Sequence, residues 1–196
     1  MSIKIPKLPL DCQFNSPMKK ILAFSGSNSS TSINQQLINT IAPIVKRVEI
    51  EILDLRDYPA EVFGVDVENS KGYPQSMLDF FEKMRSADGY LISVPEHNGS
   101  MPAVFKNSLD WISRMGGKIF NSKPTVFLSA SPGGRGGASV LQHLNQIMPH
   151  RGAEIIGSHG IAKFKDKLIE GEFKDQEDLK TIEALIHSLE DRILSH

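Results

Sequence analysis

Apolar residues in this chain follow two different spacings. Strands are predicted at residues 20–25, 48–55, 89–94, 125–129 and 153–158, most clearly from the apolar runs at 20–25 and 89–94. Such runs are typical of strands that are buried on both faces of a sheet. Between them, apolar residues recur every three or four positions, most clearly in residues 32–46 and 175–195, which predicts amphipathic helices. Strands that alternate with helices indicate a parallel sheet covered on both faces.

The predicted fold is a flavodoxin-like three-layer α/β sandwich with a five-stranded parallel sheet. One early reversal of the winding direction favours the strand order 2-1-3-4-5, with a switch point between the first and third strands where ligands bind. Residues 1–17 are proline-rich and aperiodic, and we interpret them as an N-terminal arm or extension. Residues 18–196 then form one domain, in which residues 56–74 are a long loop.

Composition narrows the range of functions. The net charge is −1 and the 22 lysines and arginines are scattered, so nucleic acid is not an expected partner. No run reaches the roughly 20 apolar residues of a membrane span, and the prolines and charges of residues 1–17 interrupt any signal-peptide core.

The single Cys12 fits a reducing compartment, so we expect a cytoplasmic protein. The six histidines are not spaced as metal ligands, and we expect no metal site.

The first of three connections rich in small residues covers residues 24–34 and reads F-S-G-S-N-S-S-T-S-I-N. Gly26 permits a turn, and residues 27–32 supply hydroxyl groups. The helix that follows adds unpaired N–H groups and the positive end of its dipole. This combination favours a phosphate group as ligand. The alternative is a serine-rich helix cap without a ligand, because serine and asparagine favour caps in any protein.

The second connection, residues 95–102, reads P-E-H-N-G-S-M-P. Asn98 and Gly99 suit a turn with positive φ, and the backbone groups of such a turn match the hydrogen-bonding edge of a flavin ring. A purely structural turn before a helix is the alternative. Glu96 and His97 invite an acid–base interpretation, but an exposed pair of this kind is more often a bystander.

The third connection, residues 129–138, reads S-A-S-P-G-G-R-G-G-A. Its four glycines allow a flat ligand to approach the backbone closely, whereas a simple hinge is the alternative. Arg135 either contacts the phosphate of a second substrate or is solvated. Because parallel strands end at one edge, the three loops form one pocket of N–H and hydroxyl groups. Such a pocket suits an anionic, planar cofactor better than a hydrolytic centre.

Taken in this order, the three loops resemble the NADPH-dependent FMN reductase family, which includes quinone, azo-dye and chromate reductases. Its first loop reads G-S-x-R-x-x-S-x-N, and residues 26–34 match it except at one position. Its second loop reads P-E-Y-N-x-S-x-P and precedes a K-N-x-x-D-W helix, matched closely by residues 95–102 and 106–111. Its third loop reads S-x-G-G-x-G-G, matched by residues 131–137. The resemblance covers about residues 18–190.

The resemblance implies an FMN-containing reductase that takes electrons from NADPH or NADH and passes them to quinone-, azo- or flavin-type small molecules by double displacement. It also implies a homodimer or homotetramer. No catalytic side chain is needed, since the chemistry takes place at N5 of FMN. The first loop then holds the phosphate, the second frames the isoalloxazine, and the third approaches its pyrimidine edge. The implied cofactor-binding residues are Ser27, Ser29, Ser32, Ile33, Asn34, Pro95, Glu96, His97, Asn98, Ser131, Gly133 and Gly134.

Two positions depart from the family pattern. Ser29 stands where an arginine is usual, so a charge that helps hold the phosphate is missing. His97 stands where a tyrosine is usual, which alters packing on the flavin. These departures leave the affinity for FMN open, and a reductase that uses free flavin as substrate is one alternative.

A non-catalytic FMN-binding electron carrier or redox sensor is the main alternative function. Residues 56–74 and Arg135 favour a substrate pocket instead. Within residues 56–74, the side chains of Tyr58, Val62, Phe63 and Tyr73 are apolar, which favours self-association. Packing of these groups on their own subunit is the alternative.

Overall fold

The computed structural model describes residues 18–195, so the predicted arm of residues 1–17 lies outside the described residues. The strands of the main sheet are β1 Lys20–Ser25, β2 Glu49–Leu53, β3 Gly89–Ser93, β4 Pro124–Ala130 and β5 Glu154–Ile161. They pair in parallel in the order β2-β1-β3-β4-β5. This order confirms the predicted flavodoxin-like sheet and places the switch point between β1 and β3.

Helices connect and cover the strands. They are α1 Ile33–Ile41, α2 Val65–Lys71, α3 Gln75–Ser86, α4 Ala103–Ile112, α5 Ala138–Ile147, α6 Phe164–Lys167 and α7 Gln176–Leu194. Within residues 18–195, none of them combines the length and the apolar character needed to cross a membrane.

The two faces of the sheet pack against different cores. The face that carries α3, α4 and α5 has an aromatic core, which includes Phe24, Phe80, Phe105, Trp111 and Phe127. The face that carries α1 and α7 has a mainly aliphatic core, which includes Ile21, Leu37, Leu91, Ile186 and Ile193. Neighbouring residues of one strand thus point into opposite cores, as the two-residue period of a strand requires. The carboxyl ends of the strands, from which the loops begin, are therefore held by packing on both faces of the sheet.

Residues 56–74 are not the continuous loop that the sequence predicts, because α2 lies within them. This helix begins after Gly64 and ends at Gly72, which has a φ of 73°. None of its residues is buried. A helix without a buried face lacks the apolar periodicity by which helices are recognised in a sequence.

Other differences from the prediction are smaller. The helix predicted over residues 32–46 ends at Ile41, because Pro43 lies in a following 3₁₀ turn. The predicted fifth strand, residues 153–158, extends to Ile161 alongside the end of β4. An antiparallel pair, β6 Leu168–Ile169 with β7 Glu172–Phe173, has strands of two residues each, too short to show any pattern.

Candidate cofactor-binding site

The three loops meet at the carboxyl edge of the sheet, as predicted from the sequence. Backbone hydrogen bonds fix the start of each loop: Gly26 donates to Ser93 O at 2.9 Å, and Val94, directly before the second loop, donates to Leu128 O at 2.8 Å. Ser131 donates to Ile161 O at 3.0 Å. Each loop thus leaves the sheet from a fixed position.

The first loop presents hydrogen-bond donors at the N-terminus of α1. Ser32 caps the helix, and its Oγ accepts from Gln35 N–H at 3.2 Å. Among residues 18–195, no acceptor lies within hydrogen-bonding distance of the backbone N–H groups of Ser27, Asn28, Ser30, Ile33 and Asn34. These N–H groups and the adjacent hydroxyls form a site that suits an anion, because the helix dipole adds to them.

The side chain of Asn34 is engaged inside the protein. It is 1% exposed, and its Oδ1 accepts from Ser93 Oγ at 2.7 Å and from Ala130 N–H at 2.8 Å. Its Nδ2 donates to Ala130 O at 3.0 Å. The side chain thus forms a bridge from α1 to the ends of β3 and β4. The direct contact with a phosphate that the resemblance implies stays a prediction. The backbone N–H of Asn34 has no acceptor among residues 18–195 and is open to a ligand.

Ser29 is exposed and hydrogen bonds within its own loop. Its N–H donates to Ser27 Oγ at 3.2 Å, and its Oγ lies 3.3 Å from Thr31 Oγ1. Arg56 lines a cleft together with Asn28 of the same loop, but its guanidinium donates to both oxygens of Asp54. These bonds hold the pKa of Asp54 below its usual range. The charge of Arg56 is thus engaged by a carboxylate beside the first loop.

The second loop is a tight hairpin turn. His97 and Ser100 exchange backbone hydrogen bonds of 2.8 and 3.0 Å, while Asn98 and Gly99 have φ values of 52° and 78°. Positive φ at both central positions is the I′ turn geometry that asparagine and glycine adopt most readily. The turn leaves the side chains of His97 and Asn98 exposed at the edge of the site.

Glu96 links the second loop to the third. Its carboxylate Oε2 accepts from Ser139 N–H at 2.9 Å and from Val140 N–H at 3.2 Å. These two N–H groups belong to the first turn of α5, so the carboxylate caps that helix from another loop. Glu96 therefore does not pair with His97, and the acid–base interpretation finds no geometric support.

The third loop contains glycines of two kinds. A Cβ on Gly137, which has a φ of 74°, would lie 1.9 Å from Ser129 Oγ, so no side chain is tolerated there. At Gly133 and Gly134, by contrast, a Cβ would have no protein atom within 4 Å beyond its chain neighbours. The carbonyl of Gly133 accepts from Ser131 Oγ at 3.0 Å and from Lys163 N–H at 2.9 Å. The loop is thus held in place while two of its glycines face open space.

The family model of the NADPH-dependent FMN reductases matches residues 19–166. The chain belongs to this family. The predicted resemblance is thereby confirmed, and the chain is an oxidoreductase with FMN as cofactor and NAD(P)H as reductant.

Individual relatives agree with the family assignment. The reductase is 37% identical over 133 residues to an NAD(P)H-dependent FMN reductase of Pseudomonas aeruginosa, a match that covers 66% of this chain and 69% of the relative. It is 32% identical over 131 residues to a quinone reductase of Escherichia coli K12, with the same coverages. Among solved structures, a flavoenzyme NAD(P)H:(acceptor) oxidoreductase from Paracoccus denitrificans has a TM-score of 0.75 at 23% identity, covering 91% of this chain and 98% of that one.

The residues of this reductase fit FMN at both ends of the cofactor. The unpaired N–H groups of the first loop match the acceptor oxygens of a phosphate dianion. The open space at Gly133 and Gly134 admits a flat ring against the backbone.

The K-N-x-x-D-W motif of this reductase has a role that sequence reasoning did not identify. On α4, Asn107 Oδ1 accepts from Phe63 N–H at 2.7 Å, and its Nδ2 donates to Glu61 O at 3.1 Å. Trp111 Nε1 also donates to Glu61 O, at 2.8 Å. The motif thus anchors the segment before α2. The match of this motif to the family pattern was the one indication in the sequence that these residues matter. Their spacing does not reveal that they bind backbone groups more than 40 positions away.

Proposed function

We propose that this reductase passes electrons from NAD(P)H to quinone-, azo- or flavin-type acceptors by double displacement. FMN, when bound, supplies the hydride chemistry at its N5 atom. The observation that supports the proposal most strongly is the meeting of the three loops, with unpaired donors at α1 and open space at Gly133 and Gly134. The resemblance to quinone reductases supports the acceptor class.

In this proposal each loop serves one part of FMN. The phosphate is bound through Ser27, Ser29, Ser32, Ile33 and the N–H of Asn34. Pro95, Glu96, His97 and Asn98 frame the isoalloxazine, where Glu96 acts by holding the second loop against α5. Ser131, Gly133 and Gly134 approach the pyrimidine edge, where N–H donors stabilise negative charge.

Titration of the purified protein with FMN tests the cofactor site. We expect binding below tens of micromolar, and anaerobic NADPH is expected to bleach the visible flavin absorbance within minutes. Absence of FMN binding would remove the site assignment. If FMN binds but neither NADPH nor NADH reduces it, the electron-carrier or sensor function replaces the reductase.

Initial rates test the order of events. The loops cover one face of the ring in this proposal, so donor and acceptor use the same open face in turn. Rates with NADPH and a quinone at several fixed concentrations are then expected to give parallel double-reciprocal lines. Intersecting lines would indicate that both substrates bind together.

We also propose that the reductase forms a homodimer or homotetramer. Val62, Val65 and Tyr73 are 81%, 57% and 39% exposed, around and within α2. Tyr58 and Phe63 instead pack on their own core, Phe63 with its ring centroid 5.1 Å from that of Trp111. The exposed group suits a subunit contact. Light scattering that gives a monomer mass at all concentrations would contradict the proposal.

A cytoplasmic location completes the proposal. It is supported by the single cysteine in the sequence and by the dependence on NAD(P)H. Cell fractionation with an antibody against the protein is the direct test.

A further inference from the structure

A groove runs from the second loop between α4 and α5. Its first part, about 340 Å³, is lined by His97, Ser100 and His143. Its second part, about 240 Å³, extends to Arg151. Met101 and Lys106 line both parts, so the two parts adjoin at these residues. The groove therefore begins at the loop that frames the proposed flavin ring.

The floor of the groove is apolar. Met101, Leu109 and Met148 line it and are 7%, 6% and 1% exposed, and the half-buried Ile147 lies beside them. Sulfur and aliphatic side chains in such a row form a surface on which a flat hydrocarbon ring packs well. The floor alone does not distinguish one aromatic ligand from another.

The side chains along the rim supply positive charge and N–H donors. Lys106 lies at the junction of the two parts, where its Nζ is 2.6 and 2.7 Å from the carboxylate oxygens of Asp110. Arg151 lies at the far end, and among residues 18–195 no carboxylate oxygen lies within 4.0 Å of its guanidinium. His143 is fixed by a 2.8 Å hydrogen bond between its Nδ1 and Ser100 Oγ, which leaves Nε2 for a ligand.

We propose that this groove binds electron acceptors that carry an acid group on an aromatic ring, such as a sulfonate or a carboxylate. The ring packs on Met101 beside the second loop, and the acid group lies near Lys106. This assignment rests on the proposed reductase function, which it extends from flat acceptors in general to anionic ones. Charge complementarity is the basis, because the rim carries two cations and one carboxylate.

Asp110 makes the proposal testable in two directions. It engages Lys106, so Asp110→Asn leaves the ammonium free for a ligand. Lys106→Gln has the opposite effect, since it removes the cation and leaves Asp110 in place. Lys165→Gln, on α6 and exposed, is the matched control outside the groove.

The first experiment measures binding without turnover. The fluorescent sulfonate 1-anilinonaphthalene-8-sulfonate and its neutral analogue N-phenyl-1-naphthylamine are titrated into the FMN-loaded protein and each variant, with circular dichroism to confirm the fold. We expect Asp110→Asn to tighten sulfonate binding about threefold and Lys106→Gln to weaken it about tenfold. The neutral dye and the Lys165→Gln variant are expected to show no change. Equal effects on both dyes, or none, would overturn the proposal.

Competition identifies the source of the acid group. 1,4-Naphthoquinone-2-sulfonate is expected to displace the sulfonate dye, whereas 2′,5′-ADP is not. Displacement by 2′,5′-ADP would overturn the proposal and assign the groove to the dinucleotide. In turnover, the ratio of KM for the sulfonated quinone to KM for 1,4-naphthoquinone is expected to fall in Asp110→Asn and to rise in Lys106→Gln. A protein without reductase activity still gives the dye result, so the two proposals fail separately.

Discussion

Gly137 and Gly134 lie three positions apart in one loop, yet the protein uses them in opposite ways. Gly137 packs directly on Ser129, while Gly134 faces open space. The same division runs through the other loops: Asn34 and Glu96 are hydrogen bonded to distant backbone, whereas His97 projects into solvent. We call Asn34, Glu96 and Gly137 the bracing positions, and Ser27, His97 and Gly134 the open positions. Substitutions at bracing positions are expected to lower stability, and those at open positions to change ligand binding alone.

The largest effect is expected for Gly137→Ala. The new Cβ collides with Ser129, and the alanine must adopt a positive φ. Together these two effects cost about 3 kcal/mol. Urea unfolding monitored by circular dichroism measures this loss. Gly134→Ala is the control, expected within about 0.5 kcal/mol of wild type. A similar loss in both variants would erase the distinction between the two kinds of glycine.

Asn34→Ala is expected to cost about 2–3 kcal/mol, because it leaves the Ser93 hydroxyl and the backbone of Ala130 without their buried partner. The same denaturation measurement applies. Since the side chain holds two loops together, affinities for FMN and for riboflavin are expected to fall by a similar factor. Loss of FMN affinity alone would mean that the side chain contacts the phosphate directly. Ser27→Ala is the comparison: it removes only an exposed acceptor of Ser29 N–H, so we expect it to lower FMN affinity with a loss of stability below about 0.5 kcal/mol.

Glu96→Ala is expected to lower the free energy of unfolding by about 1 kcal/mol, the usual value of a helix cap. The carboxylate is the acceptor for two N–H groups at the start of α5, so hydrogen exchange at Ser139 and Val140 is expected to accelerate. His97→Ala, one position further on, is the control and leaves this exchange unchanged. Unaltered exchange in Glu96→Ala would show that the cap is unimportant in solution.

The smallest effect is expected for Ser29→Arg, which restores the charge that the family pattern carries at this position. An exposed cation beside a phosphate contributes up to about 1 kcal/mol, so FMN is expected to bind about three- to fivefold more tightly. Riboflavin has no phosphate and is expected to bind as before. Isothermal titration of both ligands at two salt concentrations measures the difference, which added salt reduces. Equal tightening of both ligands would place the phosphate elsewhere.

Much of the fold was predictable, because buried strands and amphipathic helices produce regular patterns of apolar residues in the sequence. The alternation of these strands and helices then indicated the strand order and the convergence of the loops. The helix α2 could not be predicted, since it buries no residue. The division between bracing and open positions was equally inaccessible: Asn34 is bonded to Ala130, 96 positions away, and Glu96 to Ser139, 43 positions away. Local patterns identify a loop as rich in donors, but only tertiary structure shows which donors are already used.

The bridge made by Asn34 has a consequence for ligand choice. Because it ties α1 to the ends of β3 and β4, the span from the donors of the first loop to Gly133 and Gly134 is set by the protein fold. In the proposed site, this fixed span favours ligands of matching length. With FMN bound as proposed, we expect inorganic phosphate to occupy one end only and riboflavin to leave that end without its anion. A ligand with both groups at the matching separation is expected to gain the effective concentration of two linked contacts. Selection by length then works alongside selection by chemistry.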